Sequence, residues 1–237
     1  MAIGKEIIAF QDVLGYTFND IAYLENALTH SSYSNEQKSR GITAESNERL
    51  EFLGDAILQT VVSKYLFTNY KKYAEGTLTK MRQYIVCEKT LSKIAAEIGL
   101  GDYLNIGKGE ETNGCRMRPK VLADALEAVF AAVYLDSAER DTSIHEAVIL
   151  ALFKDVFEGV SDSFNGDYKT MLQQLVEKDG AAELVYEVVS EDGPEHNKRF
   201  TVVAKINNNI VGTGEAKNKK DAEMQAARLA LKLFGIM

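Results

Sequence analysis

The stretch Asn47-Glu-Arg-Leu-Glu-Phe-Leu-Gly-Asp55 carries acids at 48, 51 and 55 with apolar residues between them. At roughly 100° per residue the three acids fall on one narrow helical face, and Leu50, Leu53, Ile57 and Val61 are expected on the opposite one. From 50 to 63 the only charges are Glu51 and Asp55, whereas a solvated helical face normally carries Lys or Arg three or four residues from each acid. Farther on, Val121-Leu-Ala-Asp-Ala-Leu-Glu-Ala-Val-Phe-Ala-Ala-Val-Tyr-Leu135 holds Asp124 and Glu127 one turn apart and no other charge. That run is apolar nearly all round, which predicts a buried helix. Carboxylates on such a helix are expensive unless something neutralises them. Oxygen-only ligation suits Mg²⁺, or Mn²⁺ in its place, rather than zinc. A ferritin-like di-iron site needs Glu-x-x-His, and neither acidic helix offers a histidine. Spacing alone leaves open that these acids are ordinary surface charges.

Outward from these two segments, apolar-periodic stretches recur at 47–70, 77–98, 119–136 and 142–158, which predicts an all-helical first domain. Gly76, Gly99, Gly101, Gly107 and Gly109 are expected to break it into helices. Ser161-Asp-Ser-Phe-Asn-Gly-Asp167 reads as a polar linker. Beyond it the pattern changes: a helix over 168–178, β-rich runs at 184–189, 200–206 and 209–212, and a helix from Lys219 to Phe234. The expected organisation is a helical domain at 1–160, a linker at 161–166, and a small α+β domain of order α-β-β-β-α at 167–237.

The chain has 237 residues, 46% of them hydrophobic and two of them proline, enough for globular domains with real cores. Its net charge of −8 taken alone argues against a nucleic-acid partner. The distribution says more. Residues 166–237 hold 10 Lys/Arg against 11 Asp/Glu, so the acid excess lies in residues 1–165, with 17 against 24. Cys87 and Cys115 form no CxxC pair, and the sequence shows neither a secretory h-region nor a membrane span, so a cytoplasmic protein with reduced thiols is expected. Gly107-Lys-Gly109 and Gly212-Thr-Gly214 lack the spacing and the following Ser/Thr of a nucleotide-binding loop, so no nucleotide cofactor is expected. His30 reads as a capping or packing residue and His145 as surface.

The segment 47–55 resembles the signature of the ribonuclease III family. Leu28-Thr-His-Ser-Ser-Tyr33, Glu75-Gly76 and Leu122-Ala-Asp-Ala-Leu-Glu-Ala128 match its other blocks in order. The resemblance implies a homodimeric endonuclease of double-stranded RNA in which Glu51, Asp55, Asp124 and Glu127 bind the catalytic metals, with Asp55 and Glu127 central to catalysis. It implies that Glu48 and Glu75 are further acids of the cleft, and that Phe52 inserts into the partner subunit. The implied reaction is phosphodiester hydrolysis by metal-activated water, leaving 5′-phosphate and 3′-hydroxyl ends, in the processing of rRNA and other structured precursors. The α-β-β-β-α segment resembles the double-stranded RNA-binding domain, carried by Asp167-Tyr-Lys-Thr-Met-Leu-Gln173, Gly193-Pro-Glu-His196 and Lys217-Asn-Lys-Lys-Asp-Ala-Glu223. Gln173 and His196 are then expected at the shallow minor groove, and Lys217, Lys219 and Lys220 on phosphates at a helix N-terminus. Gln174 and Glu177 stand where that family often has Glu and Gln, and Ala216 replaces a common glycine. A non-catalytic RNA-binding or ribosome-associated relative is the competing reading, and the presence of all four ligand acids argues against it.

Overall fold

The computed structural model describes residues 3–71, 73–137, 141, 143–164, 168–178, 183–194 and 198–236. Its periodic stretches become α1 (Ile3–Leu14), α2 (Ile21–Ala27), α3 (Ser31–Ser39), α4 (Glu48–Asn69), α5 (Glu75–Ile85), α6 (Glu88–Glu97), α7 (Leu100–Tyr103), α8 (Lys108–Glu111), α9 (Pro119–Ser137), α10 (Ile144–Leu152) and α11 (Lys154–Phe164). Two compact units result, Met1–Lys71 with Leu78–Glu158, and Lys72–Thr77 with Gly159–Met237.

In the first unit α9 is the central element. Leu122, Ala123, Ala125, Leu126 and the run from Ala128 to Val133 are buried, as an all-round apolar sequence requires. Helix α4 lies along it and buries Leu50, Gly54, Leu58, Val61 and Leu66. The buried face of α4 therefore runs beside Glu51 and Asp55, and Leu53 and Ile57, expected in the core stripe, are only half-buried. The reason is Gly54, whose missing side chain lets α9 approach there instead of opposite the acids.

Asp136 near the end of α9 is a buried carboxylate with a structural task. It accepts from Tyr16 Oη at 2.6 Å and from the backbone N–H groups of Asn19 and Asp20 at 2.9 and 2.8 Å, tying the α1–α2 loop to the central helix. His145, expected at the surface, is 8% exposed and packs edge-on against Tyr134 with ring centroids 4.9 Å apart. It faces inward because α10 lays that flank on α9. His30 caps α3, accepting from the Ser32 N–H at 3.2 Å.

Several breaks fall elsewhere than expected. The stretch 77–98 is two helices parted at Val86-Cys87, where Cys87 is extended, and 142–158 divides at Phe153. Gly99 does end a helix, in the left-handed region at φ 66°. Gly76 instead sits in the first turn of α5, Gly101 within α7 and Gly109 within α8. Residues 161–164, expected in the linker, continue α11 to Phe164; its apolar residues, Val156, Phe157 and Val160, recur at helical spacing and carry the helix through the polar stretch.

The second unit holds α12 (Tyr168–Lys178), β1 (Leu184–Asp192), β2 (Arg199–Ile206), β3 (Asn209–Ala216) and α13 (Lys219–Leu233). The sheet is antiparallel in the order β1-β2-β3. Asn207 and Asn208, at φ 47° and 69°, form the two-residue turn between β2 and β3, where both central residues need positive φ. Leu172 and Val176 of α12 meet Ala204 of β2 and Ala226, Ala227, Ala230 and Leu231 of α13 in the core. A Cβ at Gly212 or Gly214 would come within 2.1 or 2.0 Å of the Ala226 or Ala222 carbonyl oxygen. These glycines therefore let an alanine-faced helix lie directly on β3. No helix among the described residues is long and apolar enough to cross a membrane.

Candidate functional site

Helices α4 and α9 bring carboxylates from distant segments to one place. One oxygen from each of Glu51, Asp124 and Glu127 lies within 4.8 Å of the others, and all three residues are half-buried. Asp55, one turn along α4, lies outside this triad; both its oxygens accept from Gln59 Nε2 at 3.0 Å. Glu48 is exposed and accepts from Ser46 Oγ at 2.9 Å. Glu75 is the exposed first residue of α5 and belongs to the second unit.

The electrostatics are those of crowded acids. Burial, then Asp55, Asp124 and Glu51, push the Glu127 carboxyl up to about 8 from its ordinary 4.5. Burial and Asp124 likewise raise Glu51. The cation opposing both shifts is Lys120, whose Nζ lies 3.0 Å from Asp124. Lys120 and Gln59 were not singled out from the sequence; each lies four residues from an acid of the cluster, the spacing at which helical side chains meet.

A hard divalent cation fits this donor set. The donors are carboxylate oxygens on rigid helices, and their like-charge crowding is the field a cation relieves. Two oxygens at about 2.1 Å from one ion are separated by at most about 4.2 Å, so small side-chain rotations close the triad.

In the second unit Gln173, Lys217, Lys219 and Lys220, expected to face RNA, are exposed. Gln173 Nε2 on α12 donates to Glu177 Oε1 at 2.8 Å, placing both on one face. Asn218 caps α13, accepting from the Asp221 N–H at 2.9 Å. Lys217, Lys219 and Lys220 surround that cap. Lys219 pairs with Glu191 at 2.8 Å and stands 5.3 Å from the Phe200 ring centroid, while no carboxylate pairs with Lys217 or Lys220 among the described residues. His196 lies outside the described residues. Phe52, between Glu51 and Leu53, is 82% exposed. It borders a groove of about 1090 Å³ that Tyr23, Glu48, Arg49, Leu53 and Leu135 also line.

Comparison with known proteins follows the same division. The Ribonuclease-III-like family model matches residues 20–155, and that of the double-stranded RNA binding motif matches 168–233. The Ribonuclease 3 of Clostridium perfringens is 44% identical over 230 residues, covering 97% of this chain and 94% of the relative. That of Caldanaerobacter subterraneus is 45% identical over 225 residues, covering 94% and 96%. A structure of the nuclease domain of the Campylobacter jejuni enzyme, which describes flexibility in a region involved in dimer formation, is 39% identical with a TM-score of 0.56. It covers 62% of this chain and 94% of that one.

Proposed function

The chain belongs to the ribonuclease III family, and from that premise we propose how its residues divide the work of cutting double-stranded RNA. It is an endoribonuclease of double-stranded RNA, in a family whose members depend on a divalent metal. The observation that carries the assignment of the site is the convergence of Glu51, Asp124 and Glu127 within 4.8 Å.

Glu51, Asp124 and Glu127, joined by Asp55, hold the metal, which we take to be Mg²⁺ with Mn²⁺ as a substitute. A divalent cation bound there supplies Lewis acidity and an activated water for in-line attack on the phosphodiester. Glu127 ligates only after losing the proton that its neighbours favour, so metal binding and proton release are coupled. Asp55 is held by Gln59 at the rim, and Glu48 extends the acidic cleft. The products are 5′-phosphate and 3′-hydroxyl ends, and the substrates are rRNA and other structured precursors in the cytoplasm.

The nuclease work falls to residues 1–160 and the gripping of RNA to 167–237, with the joint at 161–166, of which 161–164 extend α11. Lys217 and Lys220, free of carboxylates among the described residues, take phosphates beside the α13 N-terminus, Lys219 joins them by exchanging Glu191 for RNA, and Gln173 and His196 meet the minor groove. One site cuts one strand, so cutting both takes a homodimer, in which Phe52 finds its cover. The test is a gel: a long RNA duplex with the purified protein is shortened in Mg²⁺ and left intact in EDTA. An intact duplex in both would refute the nuclease.

A further inference from the structure

Past Asp55 the flank of α4 changes character. Gln59, Thr60 and Ser63 line an open cleft of about 470 Å³ whose far wall is Arg82 of α5, and Asp55 and Ala56 close its other end. Arg82 is half-buried, and its Nη1 donates to Ser63 Oγ at 3.0 Å. A guanidinium has five N–H donors, and Ser63 takes one of them. Arg40, Arg116 and Arg118 of the same unit each hold a glutamate, Glu36, Glu111 and Glu110. Arg82 pairs with no carboxylate among the described residues. In a region with 17 Lys/Arg against 24 Asp/Glu over residues 1–165, that leaves its charge available to an external anion.

We propose that Arg82, with Ser63, grips a phosphate of the RNA backbone in the cleft beside Thr60, a few nucleotides from the one being cut. This rests on the double-stranded RNA reading above. Eight residues separate Asp55 from Ser63, about 12 Å along the helix, so the gripped phosphate is distinct from the one at the acidic cluster. The planar fork of Arg82 presents parallel donors to two phosphate oxygens, and the Ser63 hydroxyl, which accepts from Arg82, keeps its own O–H to add a neutral one, while the Thr60 hydroxyl donates to the Ala56 carbonyl at 2.9 Å and lines the cleft beside them. Such a contact fixes the register of the strand without reading its sequence. It also gives a net-acidic nuclease unit a local hold on a polyanion.

The test compares full-length wild type with Arg82→Gln, Arg82→Lys and Thr60→Asp on a labelled RNA duplex in Mg²⁺, with kcat and KM measured across a salt series and folding checked by thermal melting. Arg82→Gln is expected to lower kcat/KM about tenfold near physiological salt, through KM with kcat within about twofold, as the loss of one charge-assisted phosphate contact implies. The slope of log(kcat/KM) against log salt should become shallower by about one unit. Arg82→Lys keeps the charge and restores part of the loss. Thr60→Asp brings a carboxylate into the cleft without altering Arg82, so it raises KM even where Arg82→Gln folds poorly. Unchanged KM and salt slope in folded Arg82→Gln, or a loss confined to kcat, would overturn the phosphate grip and leave Arg82 as a brace between α4 and α5. A wild type that neither binds nor cuts the duplex would overturn the nuclease reading itself, and no variant is needed to see that.

Discussion

A Cβ placed on Gly54 would lie 1.8 Å from the carbonyl oxygen of Glu127 and 2.4 Å from its carbonyl carbon. The obstacle is backbone, so no rotamer change relieves it, and α4 and α9 would have to part. Their approach at this point sets the distance between Glu51 and the pair Asp124 and Glu127. Gly54→Ala is therefore expected to destabilise the first unit by about 3 kcal/mol or more, the upper end for overpacking, and to abolish cleavage. Binding of duplex RNA by the second unit should persist. Gly159→Ala is the control: that glycine is exposed, sits within α11 and has nothing within 4 Å of a built Cβ, so a gain of about 0.5–1 kcal/mol is expected. Melting curves and a cleavage gel check both, and equal behaviour of the two variants would contradict the account.

Glu127→Gln removes a ligand charge while keeping shape and burial. The variant should fold, bind duplex RNA as wild type does, and lose cleavage by orders of magnitude. It should also melt at a higher temperature than wild type in EDTA near pH 8, because an unfavourable buried charge is gone. Wild-type cleavage rates in this variant would remove Glu127 from the metal site.

The raised carboxyl of Glu127 also fixes a pH dependence. A group whose folded pKa is near 8 against an ordinary 4.5 binds more protons folded than unfolded between those values. Its contribution to stability is thus full below about 4.5 and is lost as pH rises through about 8. Glu51, shifted the same way, adds to the slope. His145 acts oppositely, since burial favours its neutral form, but only below its ordinary 6.5. From pH 6.5 to 8 the metal-free protein should therefore melt at progressively lower temperature, and Glu127→Gln should flatten most of that fall. Over the same window Mg²⁺ affinity should rise and binding should release protons, measurable by calorimetry in buffers of different ionisation enthalpy. A melting temperature that holds constant or climbs in EDTA would refute the assigned shift.

What was legible in the sequence is what periodicity encodes. The all-round apolar run at 121–135 marked α9 as the buried centre, and the β-rich runs after 184 marked the strands of the second unit. The acids stood out because few other charges flank them. Periodicity encodes nothing about which neighbour a helix meets, so it set Leu53 and Ile57 in the core when Gly54 and Leu58 hold that place. His145 failed for the same reason: its neighbours in sequence are polar or mixed, and its burial comes from Tyr134 on another helix. Asp136 was passed over because its partners, Tyr16, Asn19 and Asp20, lie more than a hundred residues away. Gly212 and Gly214 were visible as a pattern, but their purpose, contact with Ala222 and Ala226, exists only once α13 is docked on β3.

Phe52 offers the most direct test of assembly. Its side chain is turned by roughly 100° from Glu51 along the helix, which takes it off both the acidic cluster and the contact with α9, and it is 82% exposed. An ordinary core role is thereby removed within the subunit. A large aromatic in water is costly, and the groove beside it, lined by Tyr23, Leu53 and Leu135 together with Glu48 and Arg49, is of a size to receive another such ring. In a two-fold interface each subunit gives one Phe52 and receives one, so a single substitution counts twice. Truncating an interface aromatic of this kind costs about 2 kcal/mol or more of association. Phe52→Ala is therefore expected to retain its melting temperature as a folded subunit, because the ring contributes little to the subunit's own core, and to shift toward monomer in dilute solution. Coordinated cutting of both strands should weaken before nicking of one strand does. Sedimentation at low micromolar concentration, with product analysis on native and denaturing gels, is the measurement; an unchanged dimer giving unchanged two-strand products would assign Phe52 no part in the interface.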